Sequence, residues 1–553
     1  MASLSPITGT LGLDRAKHLL KRATFGPTRT EIENFAAMNV STALDTLLTP
    51  LATPDPPNDP LTGANWLPKP GETNSGDDSL FKYFQAWFIE LMRTTGANLR
   101  ERMVFFLHSH IPADHSVIQN STSLYYQNAL YRHYAFGNFR ELFEKVCVDN
   151  AMLQYIDNTL NDKDVPNENF AREMLELYSI GKGDQIGAED YTNYTETDIK
   201  EAARVLTGFK CNWDFDTIDP DTGLPRGRAA DTLTAAASRH DAGTKTFTSK
   251  FGGTSIAPDP LLMTGADATE EGALDEISRM MDMIFAQDET AKFICRKLYR
   301  FFVYYKITDD IETTVIVPLA NTLRDNNYEL SYVLRQLLSS EHFYDEDADA
   351  TTNDHIGAII KSPLDLVLGT FRFFKIEMPD PVTRLDDLYN FAYGRGILRH
   401  ITNQGMDFYK PIDVAGYPPY HQVTAFNRNW ISPNWLATRY QFGYQVLNGI
   451  KNESDTLVYI LDVLPWVDDT SNISDPTDAG LIVDELIKFM FPKAIPQARR
   501  DYFLNTIFLE NNTPADWAIM WNTYKGGGEE GSVRGMLEQL VGRLMQTPEY
   551  QLS

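Results

Sequence analysis

Cysteine is scarce in this sequence, and its scarcity excludes several kinds of site. The three cysteines, Cys147, Cys211 and Cys295, are odd in number and far apart along 553 residues, so neither a disulfide framework nor a C-x-x-C metal knuckle is present. Each lies in an apolar context, which is typical of a buried free thiol. We therefore predict that all three cysteines pack in the core.

Long apolar runs are also missing. No stretch of about 18 apolar residues occurs, so no membrane span is predicted. The first residues, MASLSPITGTLGLDRAKHLL, lack the basic segment followed by an apolar one that marks a secretory signal. As written, the sequence predicts a cytoplasmic protein, although a chain whose export signal had been trimmed would look the same.

Positive charge is in deficit, which bears on the class of partner. The chain has 49 lysine and arginine residues against 76 aspartate and glutamate residues, for a formal net charge of -27. Nucleic acids and anionic membrane surfaces bind through basic protein faces. We therefore expect neither of them as the main partner. A cationic partner, or solubility alone, fits the charge better.

Signatures of common enzyme classes are absent as well. The sequence has no dinucleotide-binding glycine fingerprint, Walker loop, G-x-S-x-G elbow or H-E-x-x-H motif. It also shows no internal repeat of 20 to 50 residues. Function must therefore be argued from groups of residues that the fold brings together.

The residues that are present predict a mainly α protein. Hydrophobic residues make up 43% and aromatic residues 12% of the chain, which is ample for a folded core. Apolar residues recur at helical spacing over most of the length. We predict a large multi-helix body with a small β-hairpin excursion. Its parts are an N-terminal helical unit (1–48), a Pro-rich strap or linker (49–79), a central helical region (80–208), an irregular or β excursion (209–260) and a C-terminal helical body (261–553).

A polar line on an otherwise apolar helix marks the central region. In PNENFAREMLELYSIGKG, from Pro166, apolar residues cover both flanks of the predicted helix. The spacing i, i+3, i+4 and i+7 places four polar residues on one side: Asn169, Arg172, Glu173 and Glu176. Such charges need partners or a ligand, because leaving a buried charge unpaired costs roughly 3 to 5 kcal/mol.

The following helix repeats this arrangement. In YTETDIKEAARVLTG, Thr195 and Asp198 predict a capping box, and Glu201 lies close enough to pair with Arg204. Two interpretations of both helices stay open. Either the polar residues face a site, or two buried helices cross through an Arg/Glu lattice that is purely structural.

Two histidines flank Ser109 in RERMVFFLHSHIPADH. Pro112 predicts that the helix ends here, and residues at i and i+2 converge in an extended or irregular backbone. His108 and His110 are therefore candidate ligands of one divalent metal ion. The alternative is that one histidine caps the helix and the other packs in the core.

The stretch RHDAGTKTF offers three further candidates. His240 is a candidate acid/base or ligand, and Lys245 a candidate anion contact. Adjacent side chains on a strand point apart, so His240 and Asp241 are not expected to form a dyad. A turn residue and a strand-edge lysine are the structural alternative.

The last candidate for a ligand-binding site is an aromatic segment. Residues 405–439, GMDFYKPIDVAGYPPYHQVTAFNRNWISPNWLATR, are rich in Pro, Tyr, Trp and Asn. Loops of this kind line sites for polar ligands such as glycans, because flat rings take C–H faces and amides bind hydroxyls. Tyr417, Trp430 and Trp435 are the main candidates. Closure of the core by aromatic loops is the alternative.

Several of these stretches carry a family resemblance. PNENFAREMLELYSIG followed by YTETDIKEAARVLTG resembles the signature of a bacterial family of uncharacterised proteins, the domain-of-unknown-function family numbered 1800. HLLKRATFGPT, LRERMVFFLHSHI, RHDAGTKTF and a Pro-rich segment ending near Trp430 agree with that family in order. The resemblance implies a sulfatase-like partner protein, because such proteins are often encoded beside family members. It also implies that the protein could be periplasmic or exported if its signal had been trimmed, since family members often carry export signals.

Two hypotheses for function follow. The first is a metal-assisted hydrolase that acts on a polar or glycan-like substrate, with His108 and His110 holding the divalent metal ion that activates water. Its catalytic candidates are Glu173, Glu176, Arg172, His240 and Asp241. Its candidate substrate contacts are Asn169, Arg204, Lys245, Tyr417, Trp430 and Trp435. The second hypothesis is a non-catalytic binding or assembly protein that works with the sulfatase-like partner.

Overall fold

Helices dominate the structure. A computed structural model describes residues 2–60, 62–67, 77–229, 237–347 and 355–553 of the protein. It is 55% helical, and the sheets found in these ranges are two-stranded and antiparallel. The helical share is well above the roughly one third that is usual for globular proteins. The predicted fold class, a mainly α body with small β-hairpins, is confirmed.

The described residues up to the end of the predicted central region contain eleven α-helices. They are α1 (Gly12–Ala23), α2 (Arg29–Ala36), α3 (Val40–Leu47), α4 (Asp77–Thr94), α5 (Arg100–His110), α6 (His115–Ile118), α7 (Ser121–His133), α8 (Phe139–Val146), α9 (Asn150–Tyr155), α10 (Asn169–Glu173) and α11 (Glu196–Val205).

The remaining helices build the C-terminal part. They are α12 (Glu270–Phe285), α13 (Asp288–Phe302), α14 (Asp309–Ile311), α15 (Val317–Asp325), α16 (Leu330–Ser339), α17 (Pro363–Phe373), α18 (Arg399–Asn403), α19 (Pro418–His421), α20 (Pro433–Asn448), α21 (Val463–Asp468), α22 (Ala479–Met490), α23 (Gln497–Asp501), α24 (Pro514–Lys525) and α25 (Gly531–Met545). Ser362 starts α17 with a capping box to Asp365, which places both residues near the sites described below.

The helix after α10 departs from the predicted register. Residues Met174–Ser179 form a π-helix, in which the hydroxyl of Ser179 donates to the carbonyl of Met174 at 2.7 Å. A π turn is wider than the 3.6 residues of an α turn. The polar residues therefore follow an ideal helical line only as far as Glu173.

Small strands interrupt the helices. The pairs are β1 (Gln185–Gly187) with β2 (Asp190–Tyr191), β3 (Phe209–Lys210) with β4 (Arg228–Ala229), β5 (Lys245–Thr246) with β6 (Ser255–Ile256), β7 (Met263–Thr264) with β8 (Asp267–Ala268), and β9 (Ile450–Lys451) with β10 (Leu457–Tyr459). Two pairs fall in the predicted excursion at 209–260, of which residues 230–236 lie outside the described ranges.

The buried apolar side chains form one connected core that runs from Ala2 to Tyr550. The predicted strap at 49–79 takes part in it through Trp66, whose ring is 6% exposed and meets Tyr125 edge-on. Residues 61 and 68–76 of that strap lie outside the described ranges. The predicted boundaries between the parts of the chain stay predictions.

None of the helices that the structure describes is both long and apolar enough to cross a bilayer.

Candidate functional site

The polar line on α10 is largely a structural contact. The guanidinium of Arg172 donates to both carboxylate oxygens of Glu196, each at 2.8 Å, and to Glu168 at 3.1 Å. These hydrogen bonds from Arg172 lower the pKa of Glu196. Arg172 therefore joins α10 to α11 through its carboxylate partners.

The other members of the line differ from one another. Glu176 accepts a hydrogen bond from the Tyr194 hydroxyl at 3.1 Å and lies 3.4 Å from the Lys182 amine. Glu173 has no hydrogen bond or ion pair with any described residue, and burial, followed by the charge of Glu176, raises its pKa. The Asn169 side chain is exposed. Glu173 is thus the one acid of the line without a partner in the described ranges.

The predicted contact residues on α11 also form a local network. Arg204 donates to Asp241 at 2.6 Å and to Glu201 at 2.7 Å. Burial opposes ionisation of Asp241, but the hydrogen bonds from Arg204 and from the Gly243 amide outweigh it and lower the pKa of Asp241. The predicted Glu201–Arg204 pair is therefore present, and so is the predicted capping box of α11.

His240 and Lys245 meet at a carboxylate that the sequence did not point to. Glu276, on α12, lies 3.2 Å from the Nε2 atom of His240 and also contacts the amine of Lys245. All three side chains are fully buried, and burial lowers the pKa of Lys245. His240 and Asp241 point to different partners, as expected for neighbours in sequence. None of the three lines a cavity described below.

The two histidines of the H-x-H stretch face different neighbours. Helix α5 continues to His110 and does not become irregular, so residues at i and i+2 point to different sides. The His108 ring stacks on Tyr409 at 3.9 Å, and the Nε2 atom of His110 lies 2.9 Å from the carbonyl of Tyr178. The structure therefore does not bring the two imidazoles together as a ligand pair.

Both imidazoles are buried. Burial lowers the pKa of each to about 3, which keeps the rings neutral. Neither ring nitrogen of His108 has a hydrogen-bond partner in the described ranges. Within those ranges, no group of three or more His, Cys, Asp or Glu residues is arranged to hold a metal ion. Metal binding by this stretch stays a prediction.

The aromatic segment, residues 405–439, supplies the walls of three neighbouring cavities. It contains α19, a 3₁₀ turn at Phe426–Trp430 and the start of α20. Pro419 and Trp430 line two of the cavities, and Tyr420 lines two as well. We refer to them below as the aromatic, histidine and arginine cavities.

The aromatic cavity brings together the three aromatic residues that the sequence singled out. Its volume is about 170 Å³. Its walls are Gly405, Asp407, Lys410, Ile412, Tyr417, Pro418, Pro419, Gln422, Asn429, Trp430 and Trp435. Tyr417 and Trp430 are each 2% exposed, whereas Trp435 is only partly buried. Trp435 therefore offers more of its ring to a ligand than the other two.

Polar groups occupy one side of the aromatic cavity. The Asn429 amide donates to the Gln422 carbonyl oxygen at 3.0 Å, so the two amides lie together. Burial raises the pKa of Asp407, although the charge of Lys410 opposes the shift. The Tyr417 hydroxyl donates to the backbone carbonyl of Asp407 at 3.1 Å. The Tyr417 hydroxyl thus holds the backbone at Asp407 in place, and the side-chain amides of Gln422 and Asn429 line the cavity.

The histidine cavity is small, about 20 Å³. Its walls are Phe106, Ser109, His110, Lys297, Phe301, Tyr420 and His421. Burial, followed by the charge of Arg300, lowers the pKa of Lys297 to about 8. The Nε2 atom of His421 lies 3.6 Å from Asp413. His110 is the one residue of the predicted metal pair that reaches a cavity.

The arginine cavity shares Pro419 and Trp430 with the aromatic cavity, and its volume is also about 20 Å³. Its walls are Arg102, Arg300, Phe301, Tyr305, Ile359, Ile360, Ser362, Asp365, Pro419, Tyr420, Phe426, Asn427 and Trp430. Arg102 comes from α5, Arg300 from α13 and Asp365 from α17. Three helices far apart in sequence thus meet the aromatic segment here.

Several of these wall residues were missed at the level of sequence. Gln422 and Asn429 lie inside the aromatic segment, so its high amide content was the available signal. Arg300 and Lys297 lie on α13, whose amphipathic pattern indicates a scaffold helix. Nothing local distinguishes these two residues from surface charges. Their role depends on the tertiary contact between α13 and the aromatic segment.

Comparison with curated proteins and with solved structures gave no match. A family model does match, and it covers residues 18–552, nearly the whole chain. The chain therefore belongs to the family described as protein of unknown function (DUF1800).

Proposed function

We propose that the protein binds a polar, glycan-like ligand in the aromatic cavity. The observation that carries the proposal is the meeting of Tyr417, Trp430 and Trp435 with the amides of Gln422 and Asn429 around one space of about 170 Å³. A single water needs only about 10 to 15 Å³ on this measure. The space is therefore large enough for an organic ligand.

The chemistry of the walls fits a ligand that is apolar on its faces and polar at its edges. The partly exposed ring of Trp435 can pack against C–H groups, and the paired amides can exchange hydrogen bonds with hydroxyls. Asp407 and Lys410 add one acceptor and one donor of opposite charge. A sugar ring presents this combination of surfaces.

Binding is better supported than glycoside hydrolysis at this cavity. Glycosidases use two carboxyl groups on opposite sides of the scissile bond, about 5 to 10 Å apart. Among the residues that the structure describes, Asp407 is the single carboxylate in the cavity wall. A binding role also fits the expectation of a sulfatase-like partner protein, which co-purification of the two proteins would test.

A hydrolase with Glu173 as general base is a second candidate. It is favoured by the free carboxylate of Glu173 and by its raised pKa, which brings the group closer to the range of a working base. Assistance by one divalent metal ion belongs to this candidate. Metal analysis of the wild type and of His108→Ala and His110→Ala tests that part. Stoichiometric metal that the variants lose would support it, and a metal-free wild type would remove it.

Ligand-detected NMR with a panel of methyl glycosides tests the binding proposal. The panel should contain neutral hexosides, N-acetylhexosaminides and hexuronides. We expect at least one to bind the wild type, with affinity lost in Trp435→Ala. The matched control is Trp213→Ala, because Trp213 is 42% exposed and lines none of the three cavities. Equal binding by both variants would contradict the proposal.

A further inference from the structure

Three residues in the wall of the arginine cavity each carry a buried hydrogen-bond donor without an acceptor among the described residues. The donors are the Nε atom of Arg102, the Nε atom of Arg300 and the Nδ2 atom of Asn427, and each is buried with no partner in the described ranges. The side chains of Arg102 and Asn427 are 6% and 7% exposed. Buried donors are nearly always satisfied in folded proteins. Three of them on one small cavity therefore indicate a missing acceptor.

The single carboxylate in the wall does not supply that acceptor. Asp365 already receives a hydrogen bond from the guanidinium of Arg102 and another from the Ser362 hydroxyl, the latter at 2.8 Å. Arg300 forms no ion pair with any described residue. Its guanidinium instead lies 5.1 Å from the ring centre of Phe426. The charge of Glu312 offsets that of Arg300 in part, but no described carboxylate contacts the Arg300 guanidinium.

Further cations surround Asp365. The side chains of Arg22, Lys361 and Arg439 all feel its charge, yet in the described ranges they donate to neutral acceptors and not to carboxylates. Arg22 donates to the His355 carbonyl at 2.6 Å, and Lys361 donates to the Tyr550 carbonyl at 2.6 Å. Burial lowers the pKa of Lys361 to about 7, so Arg22 and Arg439 are the two of these groups that stay charged at neutral pH.

A bound oxyanion would accept the free hydrogen bonds and would also balance the charge of Arg300. A water molecule can accept the free hydrogen bonds, but it cannot balance the charge of Arg300, which is only partly exposed and has no carboxylate partner in the described ranges. Oxyanions accept several charge-assisted hydrogen bonds and match the planar arginine group well. From this geometry we infer that the arginine cavity is a binding site for one small oxyanion, held by Arg102, Arg300 and Asn427.

The size of the cavity limits the ligand. A volume of about 20 Å³ is close to what one water needs, so the ligand can be no larger than one small anionic group. The ligand must therefore be a compact group with two or more acceptor oxygens. A planar carboxylate or a tetrahedral sulfate or phosphate meets this requirement. The site shares Trp430 and Pro419 with the aromatic cavity, but its donors are other residues, and the inference does not depend on the proposed glycan binding.

Isothermal titration calorimetry with sodium sulfate, sodium phosphate and sodium acetate at constant ionic strength tests the inference. We expect saturable binding of at least one anion, and the anion that binds identifies the group as tetrahedral or planar. Arg300→Gln removes one charge-assisted contact, so it should weaken binding by about tenfold or more. The control Arg395→Gln removes an exposed arginine that pairs with Glu453 and lines none of the three cavities, and it should leave the affinity unchanged.

Asn427→Asp provides an independent test with nearly the same side-chain shape. It places a carboxylate among the free donors, so we expect it to abolish anion binding and to raise the melting temperature. The melting temperature remains informative even if Arg300→Gln fails to fold. No saturable binding of any of the three anions to the wild type would overturn the inference. An Asn427→Asp protein that binds anions as the wild type does would also overturn it.

Discussion

Arg172 and Glu196 form a bidentate ion pair in which both N–O distances are 2.8 Å. The pair joins α10 to α11, and both carboxylate oxygens of Glu196 accept from one guanidinium, while Oε1 also accepts from the Tyr191 hydroxyl at 3.2 Å. The helical line that the sequence marks as a candidate site therefore divides into a structural contact at Arg172 and a free acid at Glu173. This division gives the two residues opposite expected behaviour.

Breaking the ion pair should destabilise the fold. We expect Arg172→Gln to lower the free energy of unfolding by about 1 kcal/mol, because the pair is charge-assisted but partly solvated. Urea unfolding followed by circular dichroism measures this. A variant as stable as the wild type would show that the contact contributes nothing.

The same pair predicts a pH dependence. Arg172 lowers the pKa of Glu196 in the folded state, so the stabilisation is fully present above the usual glutamic acid pKa of about 4.3. It is lost as the pH falls through the lowered value. Glu196→Gln should therefore lose less stability than the wild type between neutral and acidic pH. Parallel stability curves for the two proteins would contradict this.

Glu173→Gln should not destabilise the protein. Burial and the charge of Glu176 raise the pKa of Glu173, so its ionised form opposes folding at neutral pH, and a neutral amide removes that cost. We expect a melting temperature equal to or above that of the wild type, with Arg172→Gln as the neighbouring control. A marked loss of stability would mean that Glu173 has a structural partner.

His108→Phe should make the protein more resistant to acid. The folded state keeps His108 neutral with a pKa of about 3, whereas the unfolded imidazole takes up a proton below about 6.5. Stability is therefore lost as the pH falls from about 6.5 towards 3, and phenylalanine removes this loss while it keeps a ring against Tyr409. Melting temperatures across this pH range measure the effect. A variant that is less stable at every pH would assign His108 a polar role.

Gly405→Ala should disturb the aromatic cavity through Trp435. Gly405 has a φ of +94°, and an added Cβ would lie 2.5 Å from the Trp435 ring. We expect lower stability and weaker glycoside binding, since the ring must move. Gly265→Ala is the matched control, because its φ is +65° and no described heavy atom lies within 4 Å of the added Cβ. Equal effects of the two changes would show that backbone strain alone is responsible.

Local features were predictable from the sequence because they depend on few neighbours. The capping box of Thr195 and Asp198 and the pair of Glu201 and Arg204 need only residues three positions apart. The aromatic segment was predictable for a related reason. Its candidate residues lie within 35 positions of one another, and the segment folds back on itself to form one cavity wall.

Features that depend on distant contacts were not predictable. Glu276 completes the environment of His240 and Lys245 from another helix. The arginine cavity joins Arg102, Arg300 and Asn427, which no sequence spacing connects. Pro112 ends α5 as expected, but the backbone stays helical through His110 and does not become irregular between the two histidines, which keeps His108 and His110 apart.

A structure of the protein with the tightest-binding methyl glycoside tests the central claim most directly. We predict that the sugar ring lies in the aromatic cavity, with its C–H face on Trp435 and its hydroxyls bonded to the amides of Gln422 and Asn429. A glycoside bound at any other place, or a cavity that stays closed to every member of the panel, would contradict the account.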